Sequence, residues 1–370
     1  MKSKEIVESL LDEAGITING DNSYDIKIHN EEFYDRVLNQ GTFGLGESYM
    51  DGWWDCDKLD EFFDRVISAG LESKIKKNLS IALRLGLRSL LYMGKKSKAF
   101  EVGEQHYDIG NDLYRSMLGK RMVYTCGYWK SAKNLDDAQD AKLDLVCKKI
   151  GLKSGQRILD VGSGWGSFIG FAAEKYGANT LGITISKEQK ELADKLYKNL
   201  PAETRLQDYR DINEKFDHVV SLGMFEHVGK GNYREFMKVV HRALKDDGFF
   251  LLHTIGGNRS VSSNDAWTEK YIFPHSMLPS IKQIGKSMEG LFVMEDWHNF
   301  GSYYDKTLMA WYENFEKSWN GIKSNYDDRF YRMWKYYLLS CAGSFRSRKN
   351  QLWQIVLSKK GVRGGYKSMR

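Results

Sequence analysis

Residues Arg157–Gly166 read RILDVGSGWG. An apolar run ending in Asp160-Val161 meets Gly162, Gly164 and Gly166, and a helical pattern then runs from Ser167 to Tyr176. The stretch predicts strand, tight turn and helix. Glycines are required because the backbone must turn sharply and leave no Cβ against a ligand at the strand's carboxyl end. A dinucleotide fingerprint would read G-x-G-x-x-G and set a pyrophosphate on the helix N-terminus. Here the third glycine falls one residue early and Ser167 takes the expected place. That spacing favours a nucleoside without a pyrophosphate, S-adenosylmethionine above all. A glycine triplet alone can be no more than a tight turn, so the flanking chain decides.

Downstream, strands and helices alternate: Thr180–Ile185, helix Lys187–Asn199, Arg205–Gln207, Phe216–Leu222, helix Asn232–Leu244 and Phe249–Thr254. Such alternation predicts an α/β fold with a doubly wound, mostly parallel sheet whose ligands bind beyond the carboxyl ends of the strands. The strand ends then name candidate site residues: Thr184 and Ser186, Asp208 and Tyr209, Glu226 and His227, His253 and Ile255. The second strand lacks the acid that commonly takes a ribose hydroxyl, which leaves Thr184 with Gln189 one turn into the next helix. Glu226-His227 sits where a catalytic acid or base belongs, whereas His253, flanked by apolar residues, reads equally as core. Upstream, Asp136–Ile150 is a helix, Arg121–Trp129 an extended aromatic segment holding Cys126, and Glu104–Leu118 a further helix. Beyond Thr254 come a polar loop, two long aromatic-rich helices and a last strand near Gln351–Leu357.

The first 70 residues predict a small α+β unit. It holds a helix over Glu5–Ala14, a half-buried strand through Tyr24, Ile26 and Ile28, and helices over Glu31–Leu38 and Lys58–Ile67. Between the last two, Gly41–Asp57 (GTFGLGESYMDGWWDCD) reads as a structured loop. Ser73–Lys98 carries Lys74, Lys76, Lys77, Arg84, Arg88, Lys95, Lys96 and Lys98 among leucines and no acid. As a helix it would suit an anionic bilayer surface; an interdomain helix is the plainer alternative. No RNA-reading motif accompanies these charges, so no nucleic-acid partner is expected. The expected domains are 1–73, a basic linker over 74–98, and a catalytic domain over 99–370.

Net charge is a modest +6, but its placement in the acid-free stretch Ser73–Lys98 and the 13% aromatic fraction both point to an apolar substrate behind an anionic surface. No run approaches the roughly 18 apolar residues of a membrane span. The start, MKSKEIVESLLDEAG, lacks signal-peptide features, so a cytoplasmic location is expected. Cys56, Cys126, Cys147 and Cys341 form no C-x-x-C pair, and neither disulfides nor a metal is expected. No Ser-His-Asp or Cys-His arrangement at recognisable spacing supports hydrolysis.

Ten segments occur in unbroken order from about Asn39: GLGESYMDGWW, HYDIGNDLY, YTCGYW, ILDVGSGWGS, GITIS-x-EQ, LQDYRD, GMFEHVG, LLHTIG, NFGSYYDKTLMAW and CAGSFR. Together they resemble the cyclopropane-fatty-acyl-phospholipid synthases of bacteria. The catalytic half is also similar to the mycobacterial mycolic acid cyclopropane synthases and their methyl-branching relatives. The resemblance implies a fold of the S-adenosylmethionine-dependent methyltransferase type. The implied reaction is methylene transfer to the cis double bond of unsaturated phospholipids by a homodimer peripheral to the membrane. It also implies a bound bicarbonate that takes the departing proton, held by the backbone at Cys126 and Ile255 and by the side chains of Glu226, His253 and Tyr304. Cys341 matches a cysteine of the substrate pocket. Tyr124, Thr125, Gly162, Gly164, Thr184, Gln189, Asp208 and Tyr209 match cofactor positions. Two departures stand out: Ser163 and Ser167 replace a cysteine and a glycine frequent in the family, and Thr125 stands where serine is frequent in the mycolic branch. A small-molecule amine methyltransferase on the same catalytic fold is the rival reading.

Overall fold

The computed structural model describes residues 3–71 and 110–370. The basic stretch Ser73–Lys98 and the first half of HYDIGNDLY lie outside the described residues. In chain order the elements are α1 (Ser3–Asp12), β1 (Lys27–Ile28), α2 (Glu32–Gln40), α3 (Thr42–Met50), β2 (Trp54–Asp55), α4 (Leu59–Ser68), α5 (Asn111–Met117) and α6 (Leu135–Lys149). There follow β3 (Arg157–Val161), α7 (Ser167–Tyr176), β4 (Asn179–Thr184), α8 (Lys187–Tyr197), β5 (Ala202–Leu206), β6 (His218–Leu222), α9 (Tyr233–Ala243) and β7 (Phe249–Gly257). The remainder is α10 (Ala266–Tyr271), α11 (Ile281–Met288), β8 (Val293–Asn299), α12 (Ser302–Ile322), α13 (Asp328–Arg346) and β9 (Asn350–Ser358).

Two compact units share these elements, and neither is a continuous segment. One combines residues up to Met117 with Ser263–His275 and Leu308–Lys349; the other comprises Leu118–Ser262, Ser276–Thr307 and Asn350–Arg370.

The first unit is built on aromatic packing. Trp54 is fully buried, with Tyr49 at 5.0 Å and Phe62 at 5.4 Å between ring centroids. GLGESYM, expected as loop, is helix α3. Its glycines serve close approach: a Cβ on Gly46 would lie 2.4 Å from Trp267 Cδ1, and one on Gly44 would lie 2.4 Å from the Arg36 carbonyl. The turns fall instead at Gly41 and Gly52, both at positive φ. Glu47 is buried against Tyr271 Oη and accepts from Lys270 Nζ at 2.9 Å and an Arg329 guanidinium nitrogen at 3.1 Å. This neutralised hub is packing chemistry, fixed by side chains far apart in sequence.

The second unit is the expected doubly wound sheet. Its order is β5-β4-β3-β6-β7-β9-β8, with the first five strands parallel and β9 running antiparallel between β7 and β8. Strand β8 is absent from the sequence expectations, because VMEDWHN is a half-exposed edge strand with a bulge between Met294 and Asp296 and no clean alternation. Alternating residues feed two apolar layers, as a sheet covered on both faces requires. Leu159, Val219, Phe250 and Ile355 pack with α9 residues such as Val239. Ile158, Val220, Leu251 and Val356 pack with Leu143 and Val146 of α6 and Phe168 of α7.

Candidate active site

The glycine turn follows β3 directly. Gly162, Gly164 and Gly166 all adopt left-handed φ, at +83°, +55° and +81°. The Gly162 and Ser163 N–H groups donate to the Ile183 carbonyl at 3.1 and 2.9 Å, which welds the turn to β4. A Cβ on Gly162 would lie 2.6 Å from Met224 Cβ, so only glycine fits there. Ser167, the departure at the helix start, donates its hydroxyl to the Arg121 carbonyl at 2.8 Å and so ties α7 to the preceding segment. At the end of β4, Thr184 Oγ1 donates to Gln189 Oε1 at 2.8 Å and accepts from the Ser186 N–H at 3.2 Å. Between them Ile185 is 82% exposed, an apolar platform at a strand end that motif reading passes over. Asp208 caps the turn after β5 and is held by the Arg210 guanidinium at 2.7 Å, which keeps its carboxyl below the usual range. The neighbouring Tyr209 ring rests on Phe236 at 5.4 Å.

Residues 122–129 form a strap with no regular secondary structure across these strand ends. Thr125 lies over Gly223, where a Cβ would come within 2.6 Å of its Cγ2. Helix α6 fastens the strap: Gln139 Nε2 donates to the Thr125 carbonyl at 2.8 Å and Lys142 Nζ to its hydroxyl at 2.8 Å. Lys142 is buried, and desolvation pulls its amine down to about 7. The same burial pushes Asp160, at the end of β3, up to about 7, against the opposing field of Lys142. Helix α12 fastens the other end, where Thr307 Oγ1 accepts from the Gly127 N–H at 3.0 Å and from Trp129 Nε1 at 2.9 Å. Cys126 is fully buried, and desolvation lifts its thiol far above the ordinary value. It is no thiolate nucleophile.

The polar candidates gather where β6 and β7 end. Glu226 sits in a short turn after β6, and the Ile255 N–H donates to its Oε1 at 2.7 Å. The backbone donor assigned to an anion by family resemblance is therefore engaged by Glu226 itself. Burial pushes Glu226 up to about 7. His253 lies two residues earlier on β7 and is fully buried, which holds its imidazole neutral, well below the usual range. Two buried atoms, Glu226 Oε2 and His253 Nε2, have no protein hydrogen-bond partner. Phe300 lies 6.0 Å from the His253 ring, and the Phe300 N–H donates to Leu352, the register partner of Ile255. Tyr304 follows one turn into α12 and is itself buried; Thr307, three residues on, reaches back to the strap at Cys126-Gly127. The sequence candidates Cys126, Glu226, His253, Ile255 and Tyr304 thus form one connected neighbourhood. Cys341 belongs to the other compact unit, on α13, where desolvation moves its thiol up to about 12. Sequence reasoning missed Gln139, Lys142, Thr307 and Gln354; polar side chains inside otherwise apolar helix or strand faces were the available signal. No group of three His, Cys, Asp or Glu able to hold a metal occurs among the described residues.

A family profile described as mycolic acid cyclopropane synthetase matches residues 94–355. The cyclopropane-fatty-acyl-phospholipid synthase of Escherichia coli is 51% identical over 365 residues, covering 99% of this chain and 95% of that protein. The structure of the cyclopropane synthase MmaA2 from Mycobacterium tuberculosis aligns with a TM-score of 0.66 and 29% identity, over 70% of this chain and 98% of that one. Mycolic acid cyclopropane synthase CmaA1, complexed with SAH and CTAB, aligns with a TM-score of 0.63 and 32% identity, over 69% and 96%. The glycine turn, the strap and the Glu226–His253 neighbourhood all lie inside the matched region, and the chain belongs to the cyclopropane synthase family of S-adenosylmethionine-dependent methyltransferases.

Proposed function

We propose that this chain transfers a methylene unit from S-adenosylmethionine to the cis double bond of an unsaturated acyl chain in a membrane phospholipid, with bicarbonate as proton acceptor. The observation that carries the reading is the pair of unpartnered buried atoms, Glu226 Oε2 and His253 Nε2, beside one stretch of β7. A small anion suits them. Burial brings Glu226 to about 7, so its carboxyl is available in the protonated form that donates to an anion oxygen. When bound, the nucleoside supplies an electrophilic methyl and bicarbonate a base. Over the whole exchange the double bond gains one CH2, S-adenosylhomocysteine leaves, and one proton passes to the base.

An alkene needs no base to start reacting, so the protein's tasks are alignment, exclusion of water and placement of the acceptor. Gly162, Gly164, Thr184, Gln189, Asp208 and Tyr209 would hold the nucleoside from the strand ends, with the exposed Ile185 offering an apolar contact beside them and Tyr124 and Thr125 closing from the strap. Glu226, His253, Tyr304 and the Cys126 backbone hold the anion, and Ile255 orients Glu226. The rings of Tyr128, Phe300 and Tyr303, within 6.1 Å of one another, keep water from this end and present π faces to developing positive charge. The substrate sits in a bilayer, and we assign the anionic-surface contact to the basic stretch 73–98 and the working state to a homodimer. No described helix is long and apolar enough to cross a membrane.

Incubating the chain with S-adenosylmethionine and vesicles of unsaturated phospholipid yields acyl chains heavier by one methylene that resist hydrogenation. A product that takes up hydrogen marks methyl branching and overturns ring closure. Glu226→Ala abolishes turnover while calorimetric binding of S-adenosylmethionine persists; wild-type turnover in that variant overturns the bicarbonate assignment.

A further inference from the structure

One polar side chain from each of three adjacent strands occupies a single row of the sheet. His253 on β7 is the register partner of Gln354 on β9, and Gln354 is the register partner of His298 on β8. Register partners project to the same face of a sheet. That face is the one covered by α6, since Leu251 and Val356, two residues before His253 and two after Gln354, pack with Leu143 and Val146. Gln354 is 0% exposed. A carboxamide buried so deeply in an apolar layer is costly unless its groups are bonded. Its nitrogen lies 3.3 Å from His253 Nδ1, while its oxygen has no hydrogen-bond partner.

The far end of the row is anchored as well. Lys149 Nζ lies 3.0 Å from His298 Nδ1 and 3.7 Å from Asp296, whose carboxylate takes both terminal nitrogens of Arg370 at 2.6 Å. Lys142 and Lys149, two turns apart on α6, both oppose a second proton on His253. The imidazole therefore carries one proton, and its place is decided by its neighbour. With the Gln354 nitrogen donating to Nδ1, that atom must offer its lone pair, and the ring's single N–H is Nε2–H. Nε2 is the atom left without a protein partner.

We propose that Gln354 is a positioning residue that fixes His253 as the Nε2–H tautomer, so that His253 donates a hydrogen bond to the bound anion and has no lone pair there with which to act as base. The assignment rests on the bicarbonate reading for the identity of the anion, and on the sheet row alone for the tautomer. It divides the labour of the site. His253 holds, and the proton released at ring closure goes to the anion.

Long-range proton–nitrogen spectra of protein labelled with 15N-histidine read the tautomer directly, with His253 assigned by the signal lost in His253→Gln. We expect the Nε2–H pattern in the wild-type chain. Gln354→Glu, whose carboxylate accepts from Nδ1–H, reverses it. Gln354→Leu releases the ring and raises KM for bicarbonate about tenfold, one hydrogen bond's worth, with KM for S-adenosylmethionine unchanged. An Nδ1–H pattern in the wild-type chain overturns the proposal even if neither Gln354 variant folds. So does a Gln354→Leu chain that keeps both the Nε2–H pattern and the bicarbonate KM. Turnover indifferent to bicarbonate depletion would instead overturn the reading of the anion and leave the tautomer test intact.

Discussion

Lys142→Met removes a buried amine while keeping the length and much of the volume of the side chain. What it strands is Asp160, buried at the end of β3, whose Oδ1 has no hydrogen-bond partner and whose ionisation is eased by the field of Lys142. Leaving a buried polar group without a compensating neighbour costs about 1–3 kcal/mol, whereas replacing both groups by neutral ones is often neutral or stabilising. Lys142 also loses its bond to the Thr125 hydroxyl, which adds about 1 kcal/mol. We expect a loss of about 3 kcal/mol, which for a chain of 370 residues lowers the melting temperature by roughly 4 °C. Lys142→Met/Asp160→Asn should recover most of it. The loss should also depend on pH. Without Lys142 the Asp160 carboxyl rises further above its already elevated value of about 7. A carboxyl raised in the folded state costs stability as pH climbs above its unfolded value, and the cost is complete once pH exceeds the folded value. The single variant therefore lies closer to wild type in mildly acidic than in mildly alkaline buffer. Differential scanning calorimetry across that range measures both effects. A single variant within about 1 kcal/mol of wild type, or a double variant less stable than the single, would refute the pairing.

Two further outcomes follow from the packing. Gly46→Ala forces a methyl to 2.4 Å from the buried Trp267 ring and should cost about 1–3 kcal/mol; Gly231→Ala, with open space at the same test position, serves as control in parallel thermal melts. An undisturbed Gly46→Ala melt would show that α3 moves freely off Trp267. His218 is buried, accepts from the Phe249 N–H at 3.1 Å and is depressed to about 4. The unfolded chain takes up this proton near 6.5 and the folded chain does not until about 4, so stability falls by up to about 3 kcal/mol as pH drops through that window. His218→Asn should flatten this part of the acid profile in urea titrations, and an unchanged slope would count against it.

What the sequence discloses and what it hides divide along physical lines. β3, the glycine turn and α7 are legible because strand, turn and helix signals there are local and agree with one another. Glu226 and His253 are legible as strand-end residues because a parallel sheet sends its ligands to that edge. Helix α3 is not, because Gly44 and Gly46 read as turn residues while their partners, Arg36 and Trp267, are 8 and 221 positions away. Lys142 and Lys149 share the inward stripe of Ala138, Leu145 and Val146, and a lysine there is easily read as reaching past the core to solvent until its burial is seen. Gln354 is hidden for a similar reason, since a lone amide in an apolar strand gives no hint of which side chain lies across from it. The grouping of 263–275 and 308–349 with the N-terminal residues depends on contacts that no local pattern encodes.

The strap over residues 122–129 draws its restraints from Gln139, Lys142, Thr307 and the Ala138 carbonyl, all on helices, and from Ser167 at the mouth of α7 through the Met122 carbonyl. None of its bonds belongs to the strand ladder. The strap is also packed down, with Met122, Val123, Cys126 and Tyr128 buried, so its cover over the strand ends rests on apolar burial as well as on these bonds. Cover and floor are therefore held by separate sets of bonds, and a substitution at Gln139, Lys142 or Thr307 alters the cover of the site without touching the ladder that shapes its floor.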